Sequence, residues 1–441
     1  MPAMTDINHY VRWFRSSSPY IHAHRGKTFV VMFGGEALLD DNFSHLIHDL
    51  ALLHGLGIRL VLVHGLRPQI EARLKHKGIA CHYHPSGLRI TDAPALECVK
   101  EAAGVARVEI EALFSLGIAE SPMAGLRLLT TSGNFVLAKP LGVLEGIDLQ
   151  HTGEVRGVKN EALQNQLNDG NIVVLSPLGY SPTGEVFNLR AEEVATAVAG
   201  ALKADKLLIL TEGPCQVQST SQMPSHLTDN EAEALLEQDA FTPDIADHVR
   251  AAVSAIRRSV GRVHLIDRHM DGALLLELFT REGQGTLISA EPFEQLRPAH
   301  LEDIGGILEL IEPLEQEGIL VKRPREKLEM EIDDFIVIER DGLIIGCAAL
   351  HTFPQQHAGE LACLALHSEY RGQQRGLRLL NHIENLAREK GLKQLFLLTT
   401  RTTHWFIEKG FQLADFDQLP LQRRQCLNYK RNSKVLIKWL T

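Results

Sequence analysis

Short apolar runs recur along this chain, separated by glycine-containing turns and amphipathic stretches. In the first 290 residues they stand at 28–38 (TFVVMFGGEAL), 58–64 (IRLVLVH), 171–180 (NIVVLSPLGY), 206–214 (KLLILTEGP), 262–267 (RVHLID) and 285–289 (GTLIS). Apolar runs of about four to eight residues between turn signals predict buried strands. Between them, residues 43–54, 67–74 and 188–204 carry helical spacing, and Asp92 is placed to cap a helix through about residue 104. Strands that alternate with helices predict a mainly parallel sheet covered on both faces. Tyr10, Val11, Trp13 and Phe14 predict a short N-terminal helix ending near Ser16–Pro19. Residues 215–245 are polar and aperiodic and read as a surface excursion.

After Pro292 and Pro298 the pattern changes. Residues 331–353 form two apolar runs around Asp341-Gly342, a hairpin signal. LACLAL (361–366) is a buried strand, and YRGQQRGLRLL then leads into a helix with apolar positions at Leu379, Leu380, Ile383, Leu386 and Ala387. Gly391 is its C-terminal cap, and LFLLTT from Leu395 is the next strand. The unit is strand, basic turn, helix, strand. A turn of this kind suits an anion: small residues admit it to the backbone, helix amides point at it, and Arg371 and Arg375 add charge. An ordinary solvated turn carries the same residues, so the turn alone leaves both readings open.

Composition narrows the class. A chain of 441 residues exceeds one typical core and predicts two or three domains. A formal charge of −10 argues against general nucleic-acid binding. Six scattered cysteines without a CxxC pair suit a reducing compartment. No apolar run reaches the roughly 20 residues a membrane span requires, so a cytoplasmic protein is expected. Among 21 histidines, Cys81-His82-Tyr83-His84 lacks the paired spacing of a structural zinc site, and no metal is expected.

The second half resembles the GNAT acetyltransferases through its strand, R-x-x-x-x-G turn, long helix, strand and WFIEKGF (405–411). The resemblance implies acetyl-CoA as co-substrate, its pantetheine arm along Cys363, Leu364, Ala365 and Leu366. Its pyrophosphate would lie on Arg371, Gly372, Gln373, Gln374, Arg375 and Gly376. Gln374 stands where the family pattern has a glycine, and Phe406 where it often has an acidic tyrosine.

The first half, roughly 17–290, resembles the amino-acid-kinase family through FGGEA, VHGLRPQI, GLRITD, TSGNFV, NLRAEEVA and LLILTEG in that order. Its departures fall on the chemistry. Met32 replaces the first lysine, Leu66-Arg67 the glycine-rich loop, Glu192 the organising aspartate, and His248 stands near the second lysine. Phosphoryl transfer needs cations over an approachable backbone, so kinase activity is not expected. Residues 262–289 and the amphipathic N-terminus resemble the arginine-binding segment and assembly helix of arginine-sensitive members. The effector residues this implies are Tyr20, His264, Glu277 and Gly283, in a hexamer.

A disabled kinase fold followed by an acetyltransferase resembles the N-acetylglutamate synthase family. The implied fold class is α/β: an amino-acid-kinase-like open, mainly parallel sheet sandwiched by helices, followed by a GNAT α/β domain. The expected segments are an N-terminal helix at 1–20, a kinase-like domain at 21–290, a linker at 291–297 and the acetyltransferase at 298–441. The implied reaction is direct acetyl transfer from acetyl-CoA to L-glutamate, the first step of arginine biosynthesis, regulated by L-arginine. Glu360 is the candidate base, alternatively an exposed strand-end carboxylate. Arg323 and Arg431 are the candidate substrate-binding residues, since planar guanidinium groups match carboxylates. Thr399, Thr400 and Tyr429 are candidate donors to the thiolate, of which Thr399 is taken. Cys363 invites an acyl-enzyme reading, but buried structural cysteine is preferred. A bifunctional kinase/acetyltransferase and a non-catalytic arginine sensor are the other readings.

Overall fold

The computed structural model describes residues 4–116, 123–221, 224–280, 283–292, 294–340, 342–370, 374–425, 431 and 433–440, the side chains of 4–10, 12 and 369 excepted. The chain forms two compact units, Met1–Pro292 and Phe293–Thr441.

The first unit is built on an eight-stranded sheet in the order His226–Thr228, Thr286–Ser289, Arg262–Asp267, Lys206–Thr211, Thr28–Phe33, Arg59–His64, Ile172–Leu175, Thr130–Thr131. Every neighbouring pair is parallel except Arg262–Asp267 with Thr286–Ser289. Alternate residues of the central strand enter two cores, Val30 and Met32 on one face and Phe29, Val31 and Phe33 on the other. Burial on both faces explains why these strands read as continuous apolar runs. Helices Asn160–Asn168, Ala191–Leu202 and Pro243–Arg257 cover the first face, and Phe43–Gly55, Ala93–Phe114 and Ala273–Phe279 the second. Asp92 caps its helix, its carboxylate accepting from Ala95 N at 2.8 Å.

Two expectations for this unit are corrected. The N-terminal helix does not stop near Ser16–Pro19 but runs Met4–His24 with Pro19 inside. Ser16 Oγ and Ser17 Oγ donate to Trp13 O, satisfying a carbonyl in the turn before the proline. Beyond it Tyr20 and Ile21 pack on the core, and His24 Nε2 lies 2.9 Å from Leu278 O. Tertiary packing outweighs the proline stop signal. The excursion at 215–245 contains the edge strand His226–Thr228 and the helix Asp229–Glu237, which starts from a Thr228/Glu231 capping box. Within that strand and helix only Leu227 and Ala232 are buried, too few to produce a visible period.

The second unit is a seven-stranded sheet in the order Glu294–Pro298, Phe335–Arg340, Leu343–Phe353, Ala358–Leu366, Gln394–Thr399, Lys434–Trp439, Gln412–Ala414. All pairs are antiparallel except Ala358–Leu366 with Gln394–Thr399. The linker expected at 291–297 is therefore shorter. Residues 294–297 join the sheet, with Arg297 paired to Glu339 and Asp303 and Glu294 to Arg340. The helix Arg375–Glu389 packs on one face through Leu379, Leu380, Ile383 and Ala387. Gly391, at φ +69°, closes it, Leu392 N reaching back to Ala387 O at 3.0 Å. Ile304–Gln316 and Arg325–Glu331 cover part of the other face. Asp341 of the hairpin turn lies outside the described residues.

Candidate active site

The parallel pair at the centre of the second sheet holds together over only three positions, Ala358–Gln394, Gly359–Leu395 and Glu360–Phe396. Beyond Glu360 the strand diverges from its neighbour while remaining paired to Leu343–Phe353 on the other side. Cys363 adopts φ +50°, and the register with Leu343–Phe353 shifts between Cys347 and Ala349. That is a bulge, and bulges re-aim backbone groups beside active sites. Among the described residues the edge of Cys363–Leu366 that faces the opened gap has no sheet partner, so it can pair with an extended ligand. Cys363 and Ala365 are buried, and Leu364 and Leu366 are half-buried.

Glu360 sits where the two strands part. It is 7% exposed, which removes the reading of an exposed strand-end carboxylate. Arg423 holds both its oxygens, Nε donating to Oε2 at 2.7 Å and Nη2 to Oε1 at 2.9 Å. A carboxylate has about four acceptor directions, so this fork leaves room for a further proton or water. Arg423 escaped sequence reasoning. Its signal was a cation pair, Arg423-Arg424, on a short helix with nothing in the spacing to tie it to Glu360.

Arg323 and Arg431 converge on the same region. Arg323 Nη1 donates to Cys363 Sγ at 2.7 Å, and its Nε stands 3.7 Å from Glu331 Oε2. Arg431 donates to the carbonyls of Gly318 and Ile319. Burial, then the nearby charges of Arg323 and Arg423, push the Arg431 guanidinium below its ordinary value. Three guanidinium groups thus crowd one site, a setting that favours a polyanionic ligand. Burial pushes the Cys363 thiol up to about 11 despite Arg323, so the nucleophilic thiolate is scarce near neutral pH. Thr399, half-buried, accepts from Arg401 N at 3.3 Å and Thr402 N at 3.2 Å. Thr399 Oγ1 also lies 3.1 Å from Thr402 Oγ1, so with the two amides on its lone pairs its hydrogen is directed to Thr402.

At the head of the Arg375–Glu389 helix, Gln374 is exposed with φ +57°. Gly376 is half-buried beneath Leu366 and Trp405. Arg375 does not face outward as its sequence role implies. It is 3% exposed, and its guanidinium points to Glu294. Arg371, Gly372, Gln373 and Tyr429 lie outside the described residues. Thr400 is exposed.

In the first unit, His264, Glu277 and Gly283 come together. His264 Nδ1 lies 2.5 Å from Glu277 Oε1, and Glu277 Oε2 accepts from Gln284 N and Gly285 N at 2.6 and 2.8 Å. A Cβ on Gly283 would stand 2.4 Å from Glu277 Oε2, at φ +67°. Burial raises Glu277, but His264 and the two amides outweigh it and hold it at about 2. Glu277 is not a solvated helix residue. Lys206, also missed, lies 3.1 Å from His264 Nε2, a lone cation opening an apolar strand. Burial and then Lys206 lower His264 to about 4. Tyr20 is half-buried against the core on that face of the sheet.

The kinase-like cleft matches its altered sequence. Met32 and Leu66 are buried apolar residues at 1% and 2% exposure. Glu192 and His248 do meet, at 3.8 Å. Neither Met32 nor Leu66 offers a donor to a phosphate.

Fold and site together define an amino-acid-kinase-like unit carrying a GNAT-type acetyltransferase. The profile of the amino acid kinase family matches residues 27–267, and that of the acetyltransferase (GNAT) family matches 305–409. An amino-acid acetyltransferase of Ectopseudomonas mendocina is 52% identical over 98% of this chain and 100% of its own length. One from Azotobacter vinelandii is 53% identical over 98% and 99%. The chain belongs to the amino-acid acetyltransferases. Among solved structures, N-acetylglutamate synthase of Neisseria gonorrhoeae with coenzyme A and L-arginine matches at 39% identity and TM-score 0.88, covering 98% of this chain and 99% of that one. The same enzyme with coenzyme A and N-acetyl-glutamate matches at 40% identity and TM-score 0.63 over the same shares.

Proposed function

We propose that this protein transfers the acetyl group of acetyl-CoA directly to the α-amino group of L-glutamate. The observation that carries the reading is the parting of Ala358–Leu366 from Gln394–Thr399 just beyond a buried, arginine-held Glu360. Acetyl-CoA lies along the opened edge, with its pyrophosphate at the head of the Arg375–Glu389 helix. Arg323 and Arg431 take the two carboxylates of glutamate. Glu360, directly or through a water, removes a proton from the α-ammonium, which is mostly protonated near neutral pH. A backbone N–H near Cys363–Leu364 steadies the oxyanion of the tetrahedral intermediate. Thr399, turning its hydroxyl from Thr402, is the donor to the departing thiolate. The acetyl group passes from sulfur to nitrogen, and the products are N-acetyl-L-glutamate and CoA.

The first unit serves as the arginine sensor. The solved relative was crystallised with L-arginine, and His264, Glu277 and Gly283 sit in one buried cluster here. The exposed Trp13 and Phe14 of the N-terminal helix fit its role as an assembly element in a hexamer. Among the described residues no helix is long and apolar enough to cross a membrane, consistent with a cytoplasmic enzyme of arginine biosynthesis.

Release of free thiol from acetyl-CoA tests the assignment across a panel of amino acids. Glutamate should outpace glutamine and lysine by orders of magnitude, because a missing carboxylate leaves a buried guanidinium unpaired. Equal rates across the panel would overturn it. Arginine should inhibit the full chain and fail to inhibit Glu277→Ala.

A further inference from the structure

One carboxylate holds the head of the Arg375–Glu389 helix, and it comes from far away in sequence. Glu294 belongs to the first strand of the second unit, Glu294–Pro298, two residues after Pro292 ends the first unit. Its side chain is 15% exposed. Arg375 Nε donates to both oxygens at 3.0 Å, and Arg375 Nη2 also reaches Oε1. Arg378 Nη1 donates to Oε2 at 3.2 Å, and Arg340 Nη1 approaches Oε1 at 3.4 Å.

These contacts grip both flanks of the turn. Arg375 opens the helix on one side and donates through Nη1 to Tyr370 O, at 3.3 Å, on the other. Arg340 and Arg375 also stack near the Tyr370 ring, at 5.4 and 5.7 Å from its centroid. A guanidinium as buried as that of Arg375 needs a carboxylate partner to stay in place. Arg378 remains 46% exposed at the first turn of the helix. Burial raises Glu294, but Arg375 and its neighbours outweigh it and keep the carboxylate ionised well below neutral pH.

We propose that Glu294 is a positioning residue for acetyl-CoA. By fixing Arg375, and through it the Tyr370 carbonyl and the start of the helix, it sets the helix head at which the pyrophosphate lies. The co-substrate site is thus partly built from the strand into which the first unit leads. This inference rests on the reading of that helix head as the CoA site.

The test is Glu294→Gln in the full chain. CoA binding is measured alone by calorimetry, and KM separately for acetyl-CoA and glutamate. Expected is a rise of about tenfold in the Kd for CoA and the KM for acetyl-CoA, with the glutamate KM within about twofold of wild type. Glu294→Asp, which keeps the charge, should fall between, and it carries the test if Glu294→Gln does not fold. Because the effect runs through Arg375, the double variant with Arg375→Gln should be no worse than the weaker of the two single variants. Unchanged CoA affinity, equal shifts in both KM values, or multiplying effects in the double variant would overturn the proposal. A wild-type chain that binds no CoA overturns it together with the CoA-site reading. A chain that binds CoA but ignores glutamate overturns only the choice of acceptor.

Discussion

Two strand–turn–helix heads, one in each unit, differ in what fills the space beside their glycines. In the first unit the protein fills it. A Cβ on Gly65 would lie 2.8 Å from Gly35 N, and one on Gly35 would lie 2.9 Å from Pro68 Cδ and 3.1 Å from Leu66 Cα. In the second unit a Cβ on Gly376 would find Leu366 Cδ1 at 3.5 Å and Trp405 Cζ2 at 3.6 Å, ordinary contacts. The first head needs its glycines to pack against itself, whereas the second holds a glycine that packing among the described residues does not demand. A glycine of the second kind points to a ligand. The buried titratable groups differ as well, the carboxylate of Glu277 in the first unit apart. The first unit buries imidazoles, with His24, His64 and His264 each lowered to about 4, burial being the largest cause. The second buries carboxylates already paired with arginine, Glu360 with Arg423 and Glu294 with Arg375. The first unit holds these imidazoles neutral by burial, while the second keeps its buried carboxylates in ion pairs with arginine.

Acidification should separate the units most strongly. The three imidazoles bind protons more weakly folded than unfolded, so their stabilisation is complete above pH 6.5 and drains away as pH falls toward 4. Each such group costs up to about 1.4 kcal/mol per pH unit in that window. Asp49, raised to about 6 by burial and then by Asp271, works in the opposite sense and offsets part of it. Glu294 is lowered and costs stability only below the ordinary carboxylate range. Denaturant unfolding at pH 7 and pH 5 should therefore show the first unit weakening by several kcal/mol while the second holds. Parallel weakening of both would break the comparison.

Next in size is Glu360→Gln. Loss of a general base typically removes about 10²–10⁴ in turnover. The loss should be largest at low pH, where little free amine is present. A pH–rate profile that keeps the wild-type shape and height would remove Glu360 as the base.

Smaller, and aimed at the glycines themselves, is a matched pair. Gly65→Ala should cost about 1–3 kcal/mol of stability by overpacking, since the obstacle is backbone. Gly376→Ala should leave stability nearly unchanged and weaken CoA binding. Thermal unfolding and CoA calorimetry on both variants read this directly, and a destabilised Gly376→Ala that still binds CoA would invert the lesson.

Much of this was legible in sequence because local signals and long-range packing agreed. The buried strands, the Asp92 cap, the Gly391 cap and the apolar residues Met32 and Leu66 in the kinase-like cleft were all readable from runs of a few residues. Three kinds of feature were not. Arg423 and Glu294 reach their partners over 63 and 81 positions, and no spacing rule spans such distances. The bulge at Cys363 is a backbone event in a residue type that gives no warning of positive φ. The helix past Pro19 depends on Ser17 reaching Phe279 O, at 3.2 Å, across the first unit.

The smallest effect concerns Gln374, and it tests whether the second head is shaped for a ligand or for itself. Gln374 is the N-cap of the Arg375–Glu389 helix at φ +57°, ψ +16°, with no capping hydrogen bond from its side chain. The left-handed region costs a non-glycine residue roughly 1–2 kcal/mol, and the GNAT-like pattern places glycine there. Gln374→Gly should relieve that strain, and the wider freedom of glycine in the unfolded chain takes part of the gain back. The net expectation is a gain of about 0.5–1 kcal/mol, seen as a rise in the unfolding midpoint of the second unit. CoA affinity should stay the same or improve slightly, because the amides at the helix start keep their direction. A variant that is more stable yet binds CoA several-fold more weakly would mean that the glutamine side chain itself touches the co-substrate, and that this head makes use of the strain.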